Sequence, residues 1–358
     1  MPKVAVYTIA LNEDKHVKRW FESAKEADVL LIADTGSKDN TTFLAKSLGI
    51  SVYSIAVDPW RFDIARNAAL ALIPGDVDMC ISMDMDEELE PGWRQAIDLA
   101  IEQGINLPTV KVVTARNEDH SPYSFFEAPR VHARHGFYWK YPIHEVINPK
   151  VGLEVRREPI ALEINHKPDR TKSRGSYLPL LELAVKESPT DWRMLHYLVR
   201  EYEYNQNWLE LLKFAERAMQ LQQGWDVERA STCMWASRAA WELGLIDYSL
   251  NWASRATKEA PYFYEAWHWR AHICHLLGKW SETNEFSKKI LELSRQSHHL
   301  VKPEIWDWWG YDLIALSAHN LGNQVEAVKY GQLAIEGSPS DLRLQENLRF
   351  YTEALKSE

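Results

Sequence analysis

No glycine follows the first apolar run of this chain, Lys3 to Ala10, which leads directly into Leu11-Asn12-Glu13-Asp14. A dinucleotide-binding turn needs glycine there so that the backbone can approach a pyrophosphate, so nicotinamide and flavin chemistry are not expected. The lack of a glycine-rich, basic first loop also argues against nucleotidyl transfer from a nucleoside triphosphate. Cysteine is scarce. Cys80, Cys233 and Cys274 show no Cys-x-x-Cys spacing, which speaks against a disulfide framework or a cysteine zinc site and predicts buried apolar roles. No apolar run approaches the roughly 20 residues that cross a bilayer, and Met1-Pro2-Lys3 enters a strand-like segment without a signal-peptide core. A cytoplasmic protein is the expectation. Positive charge is in deficit: 41 Lys and Arg face 51 Asp and Glu, a net charge of -10 without a long basic run, which disfavours a nucleic-acid backbone as the main partner.

What is present suits a soluble globular chain of two domains, with 358 residues, 46% of them apolar and 26% charged. The first half alternates short β-branched runs with amphipathic stretches. Strands are predicted at Lys3 to Ala10, Val29 to Asp34, Ser51 to Ile55 and Met79 to Asp84, with helices at Asp14 to Ala27, Asn40 to Leu48, Arg61 to Ile73 and Gly92 to Glu102. This α/β alternation predicts a Rossmann-like, mostly parallel sheet over residues 1–170, with ligands at the carboxyl ends of its strands. Further extended segments are expected at Thr109 to Arg116, Ala128 to Arg134, Ile143 to Ile147 and Ile160 to Ile164, broken by prolines.

Residues 171–358 read as an all-α domain carrying a repeat. The turns Gln206-Asn207-Trp208, Gly244-Leu245-Ile246, Gly278-Lys279-Trp280 and Gly322-Asn323-Gln324 stand 38, 34 and 44 positions apart. Six residues after each turn come Phe214, Trp252, Phe286 and Tyr330; ten after it come Ala218, Ala256, Ile290 and Ala334. Pro189, Pro261 and Pro339 fall at the junctions between pairs. Each helical hairpin in such an array buries its apolar face only against the next one. From about Asp191 to Ala354 the pattern resembles tetratricopeptide repeats, with the last helix as a polar-faced cap. Twelve of the 16 tryptophans lie between Trp192 and Trp309. They are expected mainly to fill hairpin cores, the rest lining a surface for a sugar or polypeptide, and such arrays commonly support homodimers.

The chemistry collects at Met79-Cys80-Ile81-Ser82-Met83-Asp84-Met85-Asp86-Glu87-Glu88. An apolar strand discharges there into four carboxylates, which repel one another unless a cation sits among them, so Asp84 and Asp86 are candidate ligands for a divalent ion. Asp34, ending the second strand, can accept hydrogen bonds from a base or ribose or else cap the turn that follows. Asp39 and Asn40 are expected as helix caps.

Val6-Tyr7-Thr8-Ile9-Ala10-Leu11-Asn12-Glu13, Ala33 to Thr41, Ala65-Arg66-Asn67-Ala68-Ala69 and Ser82 to Asp86 together resemble, in order and spacing, the family 2 glycosyltransferases of the GT-A fold, over about residues 3–167. The resemblance implies that Thr8, Asn12 and Glu13 line a nucleotide pocket, that Asp34 faces the base, and that Arg66 and Asn67 lie near the nucleotide-sugar. Asp84 would touch ribose or sugar, and Asp86 would bind Mn²⁺ or Mg²⁺. His166 fits a late histidine near metal and diphosphate. Arg130, Trp139 and His144 are similar to the acceptor-side segment. For the base that deprotonates the acceptor, Glu145 comes first, with Asp119 and Glu118 behind it. The implied reaction is an inverting transfer, of a hexose by expectation, from a nucleoside-diphosphate sugar, usually a uridine one, to a polypeptide, a glycan or, less in keeping with the charge, a modified nucleic acid. The competing reading is a helical binding or scaffold protein whose first domain is inactive. One spatial expectation underlies the enzymatic reading: carboxylates from the second and fourth strands share a crevice with a cation.

Overall fold

The structure, a computed structural model, describes residues 2–117, 119–168, 175, 177–296 and 300–357. Its first sheet runs in the order β3 (Ser51–Ser54), β2 (Val29–Asp34), β1 (Val4–Ala10), β4 (Met79–Ser82), β8 (Val131–Ala133). The first four strands are parallel and β8 is antiparallel to β4. β1 is central and covered on both faces, which is why Val4-Ala5-Val6-Tyr7 is apolar without alternation. Helix α1 (Asp14–Ala24) sends Val17 and Trp20 against Val6, Ile32 and Ile81 on one face; α3 (Phe62–Ala71) sends Ala69 and Leu70 against Tyr7, Leu31 and Cys80 on the other. Helix α2 (Thr41–Ser47) packs beside α1.

A second sheet runs in the order β5 (Glu87–Leu89), β11 (Pro159–His166), β6 (Thr109–Arg116), β7 (Pro122–Ala128), with α4 (Trp93–Glu102) against β11. A hairpin joins β9 (Phe137–Lys140) to β10 (Val146–Pro149). Three of these strands, β5, β7 and β9, go beyond the sequence expectation. Pro122 reads as a break, yet it opens β7 at the sheet edge, where a missing N–H costs no ladder bond. The extended segment expected from Ile143 starts only at Val146. Tyr141 and His144 have φ of 80° and 50°, left-handed values that interrupt a strand.

The chain divides into two units, Met1–Ala184 and Val185–Glu358, and the division falls inside α5 (Tyr177–Glu187). The second unit is helical throughout its described residues. Four hairpins follow: α6 (Trp192–Tyr204) with α7 (Trp208–Ala218), α8 (Asp226–Glu242) with α9 (Ile246–Glu259), α10 (Tyr264–Leu276) with α11 (Trp280–Leu291), and α12 (Gly310–Asn320) with α13 (Gln324–Gly337). Each second helix also packs on the next first helix, and α13 packs on α14 (Leu342–Ser357). All four hairpin turns hold one left-handed residue, Gln206, Gly244, Gly278 or Gly322, with φ between 55° and 81°. That requirement explains glycine at three of the four positions. Ala218, Ala256, Ile290 and Ala334 are buried, as their spacing predicts. A π-helical turn, Ile305–Trp309, leads into α12, adding to the irregular repeat length. The capping helix is less polar than expected, since it exposes Leu342 and Phe350.

Candidate functional site

The acidic run leaves β4 as a four-residue turn closed at both ends. The Glu87 amide donates to the Asp84 carbonyl (3.0 Å), and the Asp84 amide donates to Glu87 Oε2 (2.8 Å). The turn is anchored on three sides. The Met83 amide donates to the Tyr7 carbonyl, Trp20 Nε1 donates to the Met83 carbonyl, and the Lys167 amide donates to the Asp86 carbonyl. The last bond, with the pairing of His166 opposite Glu87 on β11 and β5, brings His166 Nε2 to 3.6 Å from Asp86 Oδ2. The Asp86 carboxylate beside it raises the affinity of His166 for a proton.

Two guanidiniums enter from elsewhere. Arg66 of α3, 4% exposed, donates to Asp84 Oδ1 (2.6 Å), to Ser82 Oγ (3.1 Å) and to Glu145 Oε1, spanning both carboxylates. Arg130, just before β8, donates to Glu87 Oε1 (2.9 Å) and lies 3.7 Å from Asp84 Oδ2. Burial would raise the Asp84 pKa, but Arg66 and Arg130 more than reverse this and hold its carboxyl well below the usual range. Burial, with the neighbouring Asp84 charge, pushes Glu87 up to about 7 against the pull of Arg130.

Asp84, Glu87 and Glu145 therefore face two guanidiniums, whereas Asp86 faces the His166 imidazole. The Asp86–His166 approach suits a divalent cation that accepts oxygen and imidazole donors. Among the described residues no group of three or more metal-ligating side chains could hold such an ion alone. Asp86 and His166 by themselves supply two candidate donors.

The other expected residues are distributed differently. Asp34, 5% exposed, accepts from the Gly36 and Ser37 amides at 3.1–3.3 Å, and no bond joins it to Asp84. It performs the turn-capping role. Asn12, with φ of 56°, accepts from the Lys38 amide through Oδ1, and its own amide donates to Ser37 Oγ. The amide of Glu13 donates to Thr41 Oγ1, and Asp39 accepts from the Thr41 amide and hydroxyl. These bonds stitch the β1–α1 turn to the loop after β2. Thr8 is fully buried and donates to the Ile9 carbonyl, so its side chain presents no surface to a pocket. The single crevice expected from the sequence is therefore two neighbouring clusters along the carboxyl edge of one sheet, and ion pairs occupy the Asp84 cluster. Strand alternation accounts for the separation: Asp34 follows Ile32 toward α1, whereas Asp84 is drawn toward Arg66 on α3.

The residues expected on the acceptor side and as bases take varied places. Trp139 is 3% exposed in the core, because alternation on β9 turns Phe137 and Trp139 inward and Tyr138 outward; its Nε1 donates to the Tyr7 hydroxyl (2.7 Å). That hydroxyl also meets His132 Nε2, and burial brings His132 down to about 4. Asn67 clamps the Trp139 backbone, donating to its carbonyl and accepting from its amide, both at 2.8 Å, rather than reaching toward a ligand. Arg130 braces the acidic turn. Asp119 accepts from the amide and hydroxyl of Ser121 in the exposed β6–β7 connection, and nothing joins it to Glu145. Glu118 lies outside the described residues. The His144 ring meets Tyr177 edge-on at 6.1 Å. Sequence reasoning passed over Glu87 and Ser82.

Comparison with known proteins gives the N-terminal part its class. Residues 5–152 match the model of Glycosyl transferase family 2. A protein of Rickettsia bellii (strain RML369-C), described as an uncharacterized glycosyltransferase, is 30% identical over 97 residues. That match spans 27% of this chain and about a third, 32%, of the relative's length. Among solved structures, MamA is similar at 17% identity and a TM-score of 0.38, over 45% of this chain and 86% of that one. YrrB, whose crystal structure is described as that of a TPR protein with an unusual peptide-binding site, is similar at 13% and 0.38, over 48% and 81%. A tetratricopeptide repeat protein of Parabacteroides merdae ATCC 43184 is similar at 18% and 0.40, over 51% and 67%. The tetratricopeptide-like character of the second unit rests on its own helix pairing. No helix among the described residues is long and apolar enough to cross a membrane.

Proposed function

We propose that the chain is a metal-dependent, inverting glycosyltransferase that moves a sugar, a hexose by expectation, from a uridine-diphosphate donor to a polypeptide or glycan acceptor. The helical unit would help to hold that acceptor or a second copy of the chain. The observation that carries the reading is the convergence of Asp86 and His166, beside Asp84, on the carboxyl edge of a family 2 domain. Asp86 and His166 would hold Mn²⁺ or Mg²⁺, which when bound neutralises a leaving diphosphate as a Lewis acid. Around it the chain's own groups position and deprotonate. Arg66 fixes one oxygen of Glu145 and one of Asp84. Glu145 Oε2 is left to take the acceptor proton as the acceptor oxygen attacks the anomeric carbon and the glycosidic oxygen departs with the diphosphate. Asp34, Asn12 and Ser37 shape the loop expected to face the base.

The test is release of nucleoside diphosphate from a panel of nucleotide-sugars by the full chain with Mn²⁺. Asp86→Ala is expected to lower turnover by about 100-fold or more, within the several kcal/mol a Lewis acid supplies. Turnover without metal, unchanged by the substitution, would sink the metal assignment. A second reading, a helical binding or scaffold protein with an inactive first domain, is favoured by the ion pairs that engage Asp84. It predicts that no nucleoside diphosphate raises the melting temperature.

A further inference from the structure

We infer that Glu87 is a positioning residue whose side chain sets the shape of the Asp84–Glu87 turn, and so the direction in which Asp86 is presented. The inference rests on the reading of Asp86 as a metal ligand. It begins with a pattern in the chain. From Met83 to Glu90 the side chains alternate strictly, with Met83, Met85, Glu87 and Leu89 buried and Asp84, Asp86, Glu88 and Glu90 half-buried. Glu87 is the one ionisable group in the inward register, at 1% exposure. A carboxylate buried among methionine and leucine positions is costly to retain unless its oxygens are both used.

Both are used, for different ends. Oε2 takes the Asp84 amide and closes the turn; Oε1 takes the Arg130 guanidinium. Arg130 in turn is fixed to the sheet, because its carbonyl accepts the Ser82 amide at 2.9 Å. A chain of contacts thus runs from the β4–β8 ladder through Arg130 and Glu87 to the backbone of the acidic turn. Asp86 sits within that turn, its carbonyl tied to Lys167. Its carboxylate direction therefore follows from the turn that Glu87 closes, as outer-shell partners commonly orient a ligand.

Reach and charge can be separated. Glu87→Gln keeps the length and an oxygen for the Asp84 amide but loses the charge facing Arg130. Glu87→Asp keeps the charge but falls one methylene short of the amide. The probe is Mn²⁺ with UDP, its binding followed by the paramagnetic resonance of free Mn²⁺, with thermal melting as the check on folding. Glu87→Asp is expected to weaken Mn²⁺·UDP binding by about 10-fold or more, and Glu87→Gln by less than about 3-fold, within the range for groups that orient ligands. Metal-free UDP binding should be unchanged in both. Wild-type Mn²⁺·UDP affinity in a folded Glu87→Asp chain, or a larger loss in Glu87→Gln than in Glu87→Asp, would overturn the inference. Asp86→Ala run alongside separates the two failures. If it too binds Mn²⁺·UDP normally, the metal reading itself falls; if it alone loses binding, only the role of Glu87 does.

Discussion

Two sets of buried ionisable groups, one in each unit, are held in opposite ways. In the first, Asp84, Glu87, Glu145, Arg66 and Arg130 share a connected set of ion pairs drawn from four places in the sequence. In the second, Glu265 and His268 lie on one helix, 2% and 5% exposed, with Glu265 Oε2 and His268 Nε2 left without a hydrogen-bond partner. Burial pushes Glu265 up to about 8 and pulls His268 down to about 3, so near neutrality both are held uncharged. A perturbed pKa therefore has two meanings in one chain. Where paired charges from distant segments converge, it marks a candidate site; where burial is the largest cause on neighbours of one helix, it marks packing.

The largest expected effect breaks the first pattern. Arg66→Ala leaves Asp84 and Glu145 without their shared cation, and breaking a buried pair of this kind costs about 3 kcal/mol or more. Urea denaturation reads the loss, and a change below about 1 kcal/mol would mean that the pairs contribute little. The second pattern responds to pH. Because the folded pKa of Glu265 lies above its ordinary 4.5, its stability contribution is full below pH 4.5 and is lost as pH rises toward about 8. Glu265→Gln should therefore melt higher than wild type above pH 8 and alike near pH 4; equal melting at pH 9 would show that Glu265 is ionised at no cost. The smallest effect concerns the hairpin turns. Gln206→Gly removes the strain of a left-handed side-chain residue and should stabilise the helical unit by roughly 0.5–1 kcal/mol, with Gly244→Ala moving the other way. Thermal melts of the pair, displaced in opposite directions, are the check.

The comparison also explains what the amino-acid order disclosed. The helical hairpins were legible because each turn repeats a local need for one left-handed residue, and the residues six and ten positions later return to the same helix face. The strands β1, β2 and β4 were legible for a similar reason, since a parallel strand inside the sheet is apolar without alternation. The cluster around Arg66 was not, because Glu145 stands 79 positions away and nothing near either residue signals the other. Trp139 misled through resemblance: it stands in a segment similar to an acceptor side, whereas its place in β9 turns it inward. Glu87 could have been found. Its position in the Met83, Met85, Leu89 register marks a carboxylate among apolar neighbours, a stronger signal than the acidic run alone.

Asn67, one residue from Arg66, both gives a hydrogen bond to the Trp139 carbonyl and takes one from its amide. Helix α3 and strand β9 are thereby buttoned together next to the guanidinium that spans Asp84 and Glu145. A substrate that draws Arg66 off either carboxylate would meet an arm swinging from a fixed pivot. Such an exchange of partners would fall at the tip of one side chain, with the Asn67 bonds between helix and strand left in place.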